Sequence, residues 1–162
     1  MTDQLTVDTV SIRSATADDY QGVIACVKAA FTPWIEIIGM KPVALTANYQ
    51  DFINRKVVHV VDGDKAGELA GLLIIYPVDD ALYVDTIGVN PAYQKHGLGR
   101  RLLAFAEQKA REIGLRKLTL VTNAKQLSNQ DYYRKHGFVE THRNELEPGR
   151  IGVWMMKTLA AE

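Results

Sequence analysis

A single cysteine, Cys26, among 162 residues leaves no internal disulfide to staple the chain and rules out a multi-cysteine zinc site. One lone thiol fits a reducing compartment. Cys26 shares an apolar helical face with Val23, Val27 and Ala30, so a place in the core competes with any role as nucleophile. His59, His96, His136 and His142 are scattered without ligand spacing, which argues against a metal site. Net charge is missing as well, since 19 Lys and Arg oppose 19 Asp and Glu. Nothing therefore predicts a general affinity for nucleic acid or anionic membrane, and any anion site must be local. No apolar run approaches the roughly 18 residues of a membrane span. Met1 to Val10 has acidic residues where a signal peptide carries basic ones, and it lacks a continuous apolar stretch. These absences predict a cytoplasmic protein. No repeat, low-complexity tract or linker divides the chain, so residues 1–162 read as one domain able to bury its own core.

What is present alternates between two periods. Val10-Ser-Ile-Arg has the alternation of a short strand. Thr16, followed by Asp18 and Asp19, caps a helix expected over Ala17 to Phe31, which Pro33 ends. The stretch from Pro33 to Leu45 fits neither period. A short helix capped by Thr46 is expected over Thr46 to Arg55, with Tyr49, Phe52 and Ile53 at helical spacing. Three β-rich runs follow, Val57 to Val61, Leu69 to Tyr76 and Leu82 to Val89, separated by turn residues and therefore read as an antiparallel meander. After Pro91 the period turns helical, with Leu98, Leu102, Leu103, Ala106 and Ala110 on one face and Gly114 at the end. Lys117 to Val121 is then a strand parallel to Leu82–Val89 through a right-handed crossover. A helix over Ser128 to His136, strands Phe138–Arg143 and Ile151–Thr158, and a turn at Pro148-Gly149 complete an α+β domain with one central mixed sheet.

The segment from Val84 through Leu103 places a Gly-containing loop between a strand and an amphipathic helix. A helix N-terminus leaves backbone N–H groups unpaired and carries partial positive charge, so a glycine-rich loop there wraps a phosphate closely. Gly97 and Gly99 permit close approach, and Lys95, Arg100 and Arg101 add charge. A purely structural strand-to-helix turn remains the competing reading. The Walker A pattern is missing, and the dinucleotide fingerprint fails because Leu102 stands where its third small residue belongs.

Gln94-Lys-His-Gly-Leu-Gly resembles the acetyl-CoA-binding motif of the GNAT superfamily, Gln/Arg-x-x-Gly-x-Gly/Ala after a strand. Leu120-Val-Thr-Asn and the segment Asn129 to Glu140, with its Tyr-x-x-x-Gly-Phe element, resemble the superfamily's next strand and helix, in the same order. The resemblance implies the GNAT acyl-CoA N-acyltransferase fold, in which a mostly antiparallel central sheet, flanked by helices, holds one splayed parallel pair. It implies acetyl-CoA as donor and an amine of a small molecule or peptide as acceptor. Backbone groups of Ile87 and Val89 would bond the pantetheine arm, with Gly88 placed for the family's bulge or for close helix packing. Gln94, Lys95, His96, Gly97, Leu98, Gly99 and Arg100 would hold the pyrophosphate, and Asn129 would contact cofactor.

Tyr133 matches the family tyrosine that protonates the departing thiolate, while Tyr132, about 100° round the helix, is expected to pack inward. Asp85, the only charged residue of its strand, matches the position of a water-linked base in many relatives; pointing to solvent or pairing with an arginine is the alternative. Trp34, Glu36 and Tyr76 are expected as acceptor-site walls. Trp34 could equally serve a dimer interface and Glu36 a solvated helix end. A homodimer is the assembly many relatives form. A non-catalytic acyl-CoA-binding regulatory domain and an enzyme using another acyl-CoA are the competing readings, and the tyrosine favours turnover.

Overall fold

The computed structural model describes residues 10–161, and the expectation for the segment preceding Val10 lies outside them. Strands β1 (Arg13–Ser14), β2 (Val58–Asp62), β3 (Leu69–Val78), β4 (Ala81–Val89), β5 (Lys117–Asn123), β6 (Val139–Glu147) and β7 (Arg150–Thr158) form one sheet in the order β1-β2-β3-β4-β5-β7-β6. Every pairing is antiparallel except β4 with β5. The helices are α1 (Tyr20–Phe31), α2 (Trp34–Ile38), α3 (Tyr49–Asn54), α4 (Leu98–Glu112) and α5 (Leu127–Lys135).

Two apolar cores sit on opposite faces of the sheet. On one, the α4 stripe Leu98, Leu102, Leu103, Ala106 and Ala110 packs against Ala70, Leu73, Leu82, Val84, Leu118 and Leu120. On the other, Val23, Cys26 and Val27 of α1 and Tyr49 and Ile53 of α3 pack against Val58, Val60, Leu72 and Ile74. Burying β3 on both faces explains its nearly unbroken aliphatic run, whereas β5 alternates buried and half-buried residues. Cys26 is 2% exposed and burial pushes its thiol up to about 12, so it is core material rather than a nucleophile.

Several local expectations shift. The first strand is confined to Arg13–Ser14, because only these residues pair with β2. Thr16 and Asp19 form a capping box, but it opens a short 3₁₀ turn over Ala17–Asp19 ahead of α1. α1 ends at Phe31, as expected, but Pro33 then serves as the N-cap of a further short helix, α2, which closes at Gly39 with φ +80°. The helix expected from Thr46 begins at Tyr49, since Asn48 caps it through a 3.0 Å bond from the Asp51 N–H, while Thr46 closes a separate 3₁₀ turn.

Candidate active site

A bulge builds the site. Across β3 and β4, Ile74 faces Thr86 and Ile75 faces Val84, which leaves Asp85 as the extra residue. The bulge is therefore at Asp85, not at Gly88. Gly88 serves close packing instead: a Cβ there would meet Cε2 of Phe31 at 3.1 Å and Cβ of Ala30 at 3.5 Å on α1. Two consequences follow from the bulge. Asp85 and Thr86 both turn toward the α1/α3 side, and β4 leaves β5 after pairing only at Leu82–Leu118 and Tyr83–Thr119.

The gap opens a cavity of about 330 Å³ between the strands. One wall is Val84 to Ile87 of β4 and the facing wall is Leu120 to Asn123 of β5. Because the gap cuts through the sheet, the cavity is reached from both cores. Asp85 enters it from the α1/α3 side and Tyr133 of α5 from the α4 side.

Asp85 is fixed on two sides. Tyr76 Oη donates to its Oδ2 at 2.6 Å and Thr86 Oγ1 to its Oδ1 at 2.8 Å. It makes no ion pair with an arginine among the described residues. Burial raises the Tyr76 phenol first, and the bond to Asp85 raises it further, so it stays a donor. Tyr83 is pushed up to about 12, chiefly by burial and then by the Asp85 charge.

Tyr133 is 9% exposed and its ring stands edge-on to Phe138 at 5.6 Å. Its hydroxyl bonds no group among the described residues. Among the described residues Nε of Arg111 is the side-chain polar atom sealed without a partner, so the Tyr133 hydroxyl opens on the cavity. Burial holds its pKa well above the usual phenol value, which keeps the proton on the oxygen. The loop before α5 is pinned by Gln130, which donates to the carbonyls of Asn123 and Ala124 at 3.2 and 3.0 Å, and this places Asn129 on the cavity wall. Tyr132, expected inside, is half-buried; a Cβ on Gly99 would meet its hydroxyl at 2.9 Å. It packs against the start of α4, a contact that sequence spacing does not signal.

At the end of β4 the chain turns through Pro91–Tyr93 into the Gly loop. Lys95 and Gly97 adopt φ of +71° and +76°, and α4 starts at Leu98. Main-chain N–H groups from Lys95 to Arg100 donate to no protein acceptor among the described residues; the first to do so is that of Arg101, to the Gly97 carbonyl. Lys95, His96, Arg100 and Arg101 likewise make no ion pair among the described residues. An unbonded N–H run at the positive end of a 15-residue helix, flanked by cations, is a phosphate cradle. The Gln94 side chain secures the loop by donating to the Val89 carbonyl at 3.1 Å.

The structure thus brings Asp85, Ile87, Asn129 and Tyr133 to one cavity and strings the Gly loop from the same strand. It does not bring the expected wall residues there. Trp34 and Glu36 lie on α2 away from the cavity, Glu36 exposed, and Tyr76 stands behind Asp85. The lining instead includes Phe31, Ile38, Pro42 and Ala44, together with Tyr83 and Trp154. No group of three or more His, Cys, Asp or Glu side chains arranged for a metal occurs among the described residues, and no helix there is long and apolar enough to cross a membrane.

Comparison with known proteins agrees with this geometry. The family model described as acetyltransferase (GNAT) matches residues 23–138. A candidate ribosomal protein bS18-alanine N-acetyltransferase of Bacillus subtilis (strain 168) is 25% identical over 142 residues, 87% of this chain and 83% of the relative. An amino-acid acetyltransferase of Pseudomonas putida is 23% identical over 145 residues, and there the match spans only 31% of the relative. Among solved structures, the PaiA N-acetyltransferase of Thermoplasma acidophilum in complex with coenzyme A superposes with a TM-score of 0.75 over 93% of this chain and 99% of that one, at 15% identity. A nourseothricin acetyltransferase, 27% identical, superposes at 0.57 over 64% of this chain and 65% of that one. A splayed parallel pair, a phosphate cradle at the head of α4 and a family model spanning most of the chain together place this protein in the GNAT acetyltransferase family, with acetyl-CoA as its cosubstrate.

Proposed function

We propose that this enzyme acetylates a primary amine of a small molecule or peptide by direct attack in a ternary complex. The observation that supports it is the placement of Asp85 and Tyr133 on opposite sides of the sheet but on one cavity. Acetyl-CoA supplies a thioester whose carbonyl carbon accepts the amine and whose sulfur departs. The Lys95–Arg100 N–H run and its flanking cations hold the pyrophosphate, and the unpaired edge of β4 beyond the bulge receives the pantetheine amides.

Asp85 draws an ammonium toward the slot and takes its proton, through water or directly, so that the neutral nitrogen attacks. Attack forms the C–N bond and a tetrahedral oxyanion. As this collapses and the C–S bond breaks, Tyr133, held protonated by burial, gives its proton to the thiolate, and the second proton leaving the nitrogen returns through water to restore the phenol. Attack from the Asp85 side and departure toward Tyr133 place nucleophile and leaving group on opposite flanks of the carbonyl. A regulatory module that only binds acyl-CoA has no use for an unpartnered hydroxyl opening on the cavity.

The test is calorimetric titration with acetyl-CoA beside a G97V/G99V variant, followed by amine-dependent thiol release. Binding lost in the folded variant, with turnover lowered roughly 10²-fold in Y133F, is the expected pattern. A folded wild type that fails to bind acetyl-CoA would end the proposal.

A further inference from the structure

Among the described residues two charged side chains, of opposite sign, line the cavity, and every other lining residue is apolar or neutral. One is Asp85. The other is Arg150, the first residue of β7 after the Pro148-Gly149 turn, whose side chain is 10% exposed. The two make no contact with each other, because Asp85 is held by Tyr76 and Thr86. Arg150 donates its Nε–H to Glu147, a carboxylate more than half exposed at the rim, and one Nη2–H to the Lys41 carbonyl at 2.8 Å. Its Nη1 donates to no acceptor among the described residues, and it is not a sealed atom.

A nearly buried guanidinium with free donors is costly unless something meets it, and the planar fork of arginine suits a carboxylate. The Glu147 contribution is weakened by solvent at the rim. Phe31, Tyr83, Leu146 and Trp154 provide an uncharged, mostly aromatic part of the wall, with the Tyr83 and Trp154 rings stacked at 6.3 Å.

We infer that the acceptor is zwitterionic: a free amino acid, or a small amine of that type, whose carboxylate is held by Arg150, whose ammonium faces Asp85 and whose uncharged side chain rests on the aromatic wall. This rests on the amine-acetylation reading and narrows its acceptor class. Arg150 has a competing, purely structural use, since its bond to Lys41 ties down the stretch leading to Pro42 and Ala44, which roof the cavity. The experiment must separate the two.

L-methionine, L-leucine and L-phenylalanine are offered as acceptors beside the carboxamide of each and a peptide with a free N-terminus. Intrinsic reactivity favours the carboxamides, whose amines are less basic and more often neutral at pH 7. The inference expects the reverse, a kcat/KM at least ~30-fold higher for the acids, as befits loss of one member of a desolvated charge pair. In R150Q, which keeps an N–H for the Lys41 carbonyl, that ratio falls to one or below, and R150K restores part of it. Acetyl-CoA binding and thermal unfolding of each variant establish that it is folded.

Wild-type ratios at or below one, preference for the peptide, or equal losses with acids and carboxamides in R150Q would each overturn the inference. So would acetyl-CoA binding with no acetylation of any of the three acids. A wild type that does not bind acetyl-CoA instead breaks the underlying acetyl-transfer reading.

Discussion

Replacing Tyr133 by phenylalanine isolates the proton that the proposed chemistry needs. The hydroxyl makes no bond to any of the described residues, and the ring keeps its edge-on contacts with Tyr132 and Phe138, both at 5.6 Å. Y133F therefore loses no folding interaction, and its stability should lie within about 0.5 kcal/mol of wild type. Acetyl-CoA affinity should also be unchanged, because the phosphate cradle is formed by Lys95–Arg100.

The rate should fall, and the leaving group sets how far. General acid catalysis contributes about 10²–10⁴-fold. A thiol with an ordinary pKa near 8.5 departs as a tolerable anion, so the low end applies, roughly 10²-fold in kcat or about 2.7 kcal/mol of barrier. Burial raises the Tyr133 phenol above its usual range, so wild-type kcat should show no alkaline fall from Tyr133 ionising below that range. The assay is thiol release at saturating acetyl-CoA across pH, with the acceptor found in the amine screen. Y133F retaining wild-type kcat would refute the assignment. A matching loss of acetyl-CoA affinity would show instead that the hydroxyl acts in binding.

Other consequences of the geometry are open to measurement. Y76F removes the 2.6 Å bond that positions Asp85, and a charge-assisted bond at a partly exposed site implies a drop of about 10-fold in kcat with acetyl-CoA KM unchanged; equal kcat would remove Tyr76 from the machinery. G88V drives a side chain into Phe31 and Ala30 of α1 and should cost about 1–3 kcal/mol by denaturant unfolding, whereas a neutral effect would mean that the helix–strand contact yields freely.

The Arg13–Asp19 pair makes stability depend on pH. Hydrogen bonding to Arg13 lowers Asp19 from 3.8 to about 2, so its contribution is complete above pH 4 and is lost as pH falls through 2. With Arg13 more than a third exposed, the solvent-discounted contribution is about 1 kcal/mol. D19N should unfold more easily at pH 7 and match wild type near pH 2, and a difference that persists in acid would point to the Thr16 cap instead.

Sequence alone determined what local chemistry encodes. The α4 stripe, the meander of β2 to β4, the parallel return of β5 and the Gly loop at a helix start were all legible, because side-chain period and turn residues act over a few neighbours. Tyr133, Asn129, Asp85 and the Gln94–Arg100 loop could be named as candidates for a related reason: they lie within continuous segments that resemble those of the family.

Only the tertiary structure decided which groups meet. Whether the bulge falls at Asp85 or Gly88 depends on how β4 pairs with β3, and that register then turns Asp85 toward Tyr76. The inward position of Tyr133 rather than Tyr132 depends on where α5 lies on the α4-side core. Arg150 carries no motif at all. It becomes part of the site because a hairpin turn brings the first residue of β7 beside a cavity formed by β4, β5 and the Pro42 stretch, distant segments whose meeting leaves no periodic trace in the chain.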